Sequence, residues 1–184
     1  MIFVEGNDDK KFLVSLLQDL KKNEKIIVDD TSFENYIEIM GSKRKLLDSN
    51  NPKYQKTLMK VEYGEITKAL FIFDSDFEID DKNCNGMDQS INCYKQLIKQ
   101  LNWNIEFNFH IFHRNLDYFL VETIKDKKCY ENFDKLVKCL EVEETKPNKK
   151  PIANLYRDLY PYPKFDYSDE KFDDIKQKLI NLFN

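Results

Sequence analysis

The stretch ALFIFDSD, residues 69–76, constrains the fold more than any other part of the sequence. Its five leading residues are all apolar, too few to span a bilayer and without the alternation of a strand that has one wet face. They fit a strand covered on both sides, as in the middle of a parallel sheet. Such a sheet requires helices between its strands, and the periodicities supply them. Residues 2–4 read as a short buried strand. Phe12, Leu13, Leu16, Leu17 and Leu20 then share one helical face. Tyr94, Leu97, Ile98 and Leu101 mark a second helix, and residues 104–113 a strand with Ile105, Phe107, Phe109 and Ile111 on one side. KIIV (25–28) and NYIEIMG (35–41) are further strand candidates. SKRKLL opens a helix, DSNNPKY reads as a loop, QKTLMKVE is weakly helical, and LDYFLVETI is a helix.

The expected class is therefore α/β with a mostly parallel sheet. Strand signals stop near residue 125. The expected organisation is an α/β core over 1–125 and a helical extension over 126–184 packed on it, in one structural domain. In the extension, Phe133, Leu136, Val137 and Leu140 form one helical face, and Phe172, Ile175, Leu179 and Leu182 another.

The 184 residues carry 33 Asp and Glu against 29 Lys and Arg, a mildly acidic balance unlike a general polyanion binder. No secretory leader or membrane span is expected, so the protein is placed in the cytoplasm. Cys84, Cys93, Cys129 and Cys139 show no C-x-x-C spacing and are expected to be reduced thiols. Scarce glycine and proline, 4 and 5, beside abundant Lys, Asn, Asp and Ile point to a low-GC bacterial genome.

The chemistry lies where the strands end. Glu5 follows the first strand; Asp74 and Asp76 follow ALFIF. In an open α/β sheet, ligands bind beyond the carboxyl ends of the strands. If the two strands are neighbours, Glu5, Asp74 and Asp76 converge, with an extended backbone aiming both aspartates into one cavity. Asp9 lies one helical turn beyond Glu5, at the same end. Carboxylates gathered this way repel and stay ionised around a cation. An all-oxygen set suits Mg²⁺ or Mn²⁺ and, through it, phosphate chemistry. Gly6 is expected to permit close backbone approach at the turn. Asp8 reads as an ordinary residue of the helix N-terminus.

VEGNDD and FIFDSD together resemble the two motifs of Toprim domains: an apolar strand followed by Glu-Gly, and an apolar strand ending in Asp-x-Asp. The acid at the fifth position of EGNDD is most similar to the OLD nuclease branch and to small stand-alone Toprim proteins. The resemblance covers roughly residues 1–125. It implies a compact, Rossmann-like fold with a four-stranded, mostly parallel sheet. It implies Glu5 as general acid/base or metal ligand, with Asp74, Asp76 and Asp9 binding metal. It departs from the family in having no glycine directly after Asp-x-Asp, no zinc-binding cysteines and no Walker A sequence; a separate ATPase is the partner this leaves open. Asp117 is the candidate for the acid that relatives carry after the later strand.

His113 and Arg114 end a strand on the site's edge and are candidate phosphate contacts. His110 faces the other way, half-buried or solvated. Lys43, Arg44 and Lys45 form the best basic cluster, a candidate for nucleic-acid backbone or a solvated helix face. The tyrosines at 156, 160, 162 and 167 read as packing residues of the helical cap. The leading expectation is a Mg²⁺- or Mn²⁺-dependent nuclease on DNA or RNA. The alternatives are a non-catalytic Toprim module that binds nucleic acid or a partner protein, and a haloacid-dehalogenase-type phosphatase with Asp74 as nucleophile.

Overall fold

A computed structural model describes residues 1–28, 32–76, 84–123, 131–132, 135 and 167–184. Strand β1 (Ile2–Val4) leads into helix α1 (Asn7–Lys22). A 3-10 turn (Phe33–Tyr36) precedes β2 (Ile37–Ile39), followed by α2 (Lys43–Leu46) and α3 (Pro52–Glu62). Strand β3 (Lys68–Asp74), helix α4 (Met87–Leu101), strand β4 (Glu106–Phe112) and helix α5 (Leu116–Glu122) continue the alternation. A 3-10 turn (Glu170–Phe172) and helix α6 (Asp173–Phe183) end the described chain. The four strands form one parallel sheet in the order β2-β1-β3-β4, compatible with a Rossmann-like fold.

Both faces of the sheet are covered, as parallel strands require. Ile2, Val4, Leu70, Ile72 and Phe112 face Phe12, Leu13, Leu16 and Leu17 of α1 and Ile175 and Leu179 of α6. Phe3, Phe71 and Phe73 face the other way, against Leu46, Tyr54 of α3, and Tyr94 and Leu97 of α4. Phe3 stacks on Phe71 with ring centroids 4.9 Å apart. Burying each such ring contributes about 2–3 kcal/mol. The expected stripes on α1, α4 and α6 are the buried faces of those helices, and α6 alone of the proposed extension is described at length. The stretch 136–166, with Leu136, Val137 and Leu140, lies outside the described residues, as do Phe133, Cys129, Cys139, Tyr156, Tyr160 and Tyr162. Tyr167 packs in the core, its hydroxyl donating to Ser15 Oγ at 2.8 Å.

Two local expectations differ from the structure. KIIV forms no strand: Ile26 is buried but Ile27 is 86 % exposed. DSNNPKY is not wholly a loop. Asn51 caps α3 by accepting from Lys53 N–H at 3.1 Å, and Pro52 takes the first helical position, where its missing N–H costs nothing. The cysteines are a third difference. Cys84 and Cys93 are joined by a disulfide, their Cα atoms 5.9 Å apart, where reduced thiols were expected. The chain turns at Gly86 (φ +81°) and sends residue 84 back beside the second turn of α4, a proximity invisible in the linear spacing.

Candidate functional site

The order β2-β1-β3-β4 makes the chain step to one side of β1 and then cross to the other, so its direction reverses between β1 and β3. Ligand crevices form at such points, beyond the carboxyl ends of the strands. Val4 pairs with Ile72, which sets Glu5 beside the end of β3. Asp74 N–H donates to Glu5 Oε1 at 2.8 Å, so the carboxylate of the first motif is tied to the backbone of the second. Asp74 Oδ1 in turn accepts from Leu116 N–H at 3.0 Å and anchors the start of α5.

Glu5 is raised from its ordinary value of 4.5 to about 7. Burial is the main cause; the Asp74 N–H bond opposes it, the Asp9 and Asp76 carboxylates add to it, and Lys43 offsets part. Glu5, Asp9 and Asp76 thus feel one another's charge, while Asp74 meets Glu5 through its backbone. Their geometry is more divided. Asp9, largely buried, turns Oδ2 back onto Gly6 N–H at 2.8 Å and closes the start of α1. Asp76 does not continue an extended backbone. It sits in the left-handed region (φ +56°), its N–H donating to Arg114 O at 2.7 Å, and its Oδ2 meets Lys43 Nζ at 3.3 Å. The extended backbone expected to aim Asp74 and Asp76 together therefore gives way to a left-handed turn at Asp76. Gly6 is extended (φ −141°), and a Cβ there would meet Asp9 Oδ2 at 3.7 Å, an ordinary contact, so the expected need for glycine is not found. Asp8 is exposed, 3.7 Å from Lys11.

Lys43 is the residue sequence reasoning placed least well. It was expected at the surface with Arg44 and Lys45, which are indeed exposed. Lys43 itself is 8 % exposed. Gly41 (φ +97°) turns the chain after β2, its N–H donating to Glu5 O at 2.8 Å, and Ser42 caps the short α2 that follows. The turn sends the Lys43 side chain into the crevice. There Nζ donates to Ser75 O (2.9 Å), Ser90 Oγ (3.0 Å) and Asn85 Oδ1 (3.2 Å), besides Asp76. Burial pulls the ammonium below the usual lysine value, against the Asp76, Glu5 and Asp74 carboxylates that hold it charged. Ser75, Asn85 and Ser90 carried no signal in the sequence, because only folding brings residues 75, 85 and 90 to one point.

On the other flank, Arg114 (φ +63°) clamps the strand end through its backbone: N–H to Ser75 Oγ at 2.7 Å, and carbonyl from Asp76 N–H. Its guanidinium lies over the Tyr118 ring at 4.8 Å. His113 is exposed beside it, and Asp117 is half-buried in the first turn of α5, one residue from the Asp74 contact. His110, expected half-buried or solvated, is buried on the opposite face against Phe112, its Nδ1–H donating to Asp174 Oδ2 at 2.7 Å.

Among the described residues, no three His, Cys, Asp or Glu side chains are gathered about one point. Mg²⁺ characteristically takes one or two carboxylates and completes its shell with water and phosphate. Glu5 and Asp74, hard oxygen donors on adjacent strand ends in an acidic crevice, fit that requirement. No family model, curated protein or solved structure matches the chain.

Proposed function

We propose that this crevice carries out Mg²⁺- or Mn²⁺-dependent phosphodiester chemistry on nucleic acid, in the manner of a Toprim nuclease. The observation that carries the reading is the Glu5–Asp74 contact at the β1/β3 reversal, which joins the two sequence motifs in one site. Glu5 and Asp74 would hold the ion, whose positive charge would offset the carboxylates and draw a phosphate to them. In the metal-free crevice Glu5 is raised to about 7, so it is placed to give or take a proton near neutral pH, and holding the ion would favour its ionised form. Asp74 fixes α5 through Leu116 and so keeps His113 and Arg114 at the rim. Arg44 and Lys45, exposed on α2, are the side chains available for a phosphate backbone. A second reading, a module that binds nucleic acid or a partner such as an ATPase without cleaving, is favoured by the engagement of Asp76 with Lys43.

The test is cleavage of single- and double-stranded DNA and RNA at low salt with Mn²⁺. Glu5→Gln and Asp74→Asn should each lower the rate about a hundredfold or more, and the double variant should be little worse, because the two act as a unit. Full activity in Glu5→Gln, or a phosphoryl group trapped on Asp74, would hand the function to the phosphatase. Binding without cleavage in the wild type would hand it to the binding module.

A further inference from the structure

From the Lys43 contacts we infer that this ammonium is the crevice's built-in second cation, a positioning residue that occupies Asp76 and ties down the start of α4, so that the site takes one divalent ion rather than two. The inference rests on the metal-dependent reading above and sharpens it.

Lysine is almost never buried without partners. Here Nζ has four oxygens within 2.9–3.3 Å. An ammonium has three protons to donate, so four oxygens around it resemble the shell of an ion more than a set of single hydrogen bonds. The oxygens are a backbone carbonyl, a carboxylate, a side-chain amide and a hydroxyl, the donor types that a hard cation takes. They come from the end of β3, the loop at Asn85 and the first turn of α4, which Lys43 thereby joins. Ser90 Oγ also donates to Cys84 O at 2.8 Å, and Gly86 N–H to Ser75 O at 2.8 Å, so the cage has its own internal bonds.

Charge points the same way. Asp9 and Asp76 act on Glu5, and Glu5, Asp74 and Asp76 act on Lys43. One ammonium and one divalent ion already bring these four carboxylates to within a single charge of neutrality. Asp76 is also held through its backbone, at Arg114 O, which fixes the point from which its carboxylate reaches Lys43.

Mn²⁺ titration followed by the electron paramagnetic resonance signal of free Mn²⁺ counts bound ions directly. The wild type should bind one ion. Lys43→Gln should bind two, the second in the vacated cage, and Lys43→Arg should remain at one. Asp76→Asn, with Lys43 intact, should still bind one ion, its affinity lowered by the loss of a neighbouring charge but not abolished, since Asp76 is not a ligand of that ion. Two ions in the wild type, loss of the ion altogether in Asp76→Asn, or a single ion in a folded Lys43→Gln would each overturn the inference while leaving the metal-dependent function standing. No ion in the wild type would overturn that function, and this inference with it. Should Lys43→Gln not fold, the wild-type count and Asp76→Asn decide the matter.

Discussion

Lys43 at the carboxyl edge of the sheet and His110 on β4 each meet one aspartate, at 3.3 Å and 2.7 Å. The shorter contact is the less committed. Asp174 is largely open to water, and its Oδ2 also takes Lys178 Nζ at 2.6 Å, so His110 shares its partner with a better cation. Lys43 has a longer contact but three further oxygens, and little water to replace any of them. The lesson is that the number of partners and their burial, rather than the closest approach, decide what a charged pair does. One pair organises a crevice. The other fastens α6 to the sheet.

That contrast sets the size of three outcomes. Lys43→Met should cost the most, about 3–4 kcal/mol, because it leaves a carboxylate and three other oxygens without their cation. A differential scanning calorimeter should see the melting temperature fall by roughly 6–16 °C. A fall under about 2 °C would put Lys43 on a par with a surface pair and end the comparison.

The second concerns pH, where the two regions have opposite signs. Glu5 holds its proton to about 7 in the folded protein but releases it near 4.5 when unfolded. Below 4.5 it is protonated in both states and contributes nothing. As pH rises toward 7, the unfolded chain sheds the proton first, and stability falls. Without metal, Glu5→Gln should therefore gain stability at pH 8, by no more than about 3 kcal/mol, and gain nothing at pH 4. Urea melts at the two pH values check this; an equal change at both would mean that Glu5 is not the titrating group.

The smallest effect is expected at His110. Burial lowers its basicity, the Asp174 bond opposes this, and Lys178 adds to it. The folded protein thus resists protonation, and stability present above about 6.5 is lost as pH falls below it. His110→Leu should cost about 1 kcal/mol at pH 8, the net value of one hydrogen bond, and should flatten the loss between pH 6.5 and 5. A slope unchanged in that window would place the acid sensitivity elsewhere.

The strands, their acids and the long amphipathic helices were legible because each is written in consecutive residues. ALFIF could be little other than a covered strand, and Glu5 and Asp74 fell at strand ends whatever the details. The neighbourhood of β1 and β3 was a condition in the sequence and became a fact only in the sheet. What was hidden is nonlocal or conformational. The left-handed turn at Asp76 breaks the two-residue alternation that would have aimed it with Asp74. The Lys43 cage collects oxygens from positions 75, 76, 85 and 90, and the cysteine pair depends on the bend at Gly86. Asn51-Pro52 was a readable helix start, passed over because its neighbours are polar.

The placement of α6 gives the molecule a schedule. Ile175 and Leu179 are fully buried against the same face as Ile2, Val4, Leu70 and Ile72, residues made more than a hundred positions earlier. A chain emerging from the ribosome can lay α3 and α4 on the opposite face as soon as β4 is out. The first face waits, partly roofed by α1, until the final helix arrives. Synthesis proceeds at about 5–20 residues per second, so α6 reaches the apolar strip it covers only several seconds after β4 has been made.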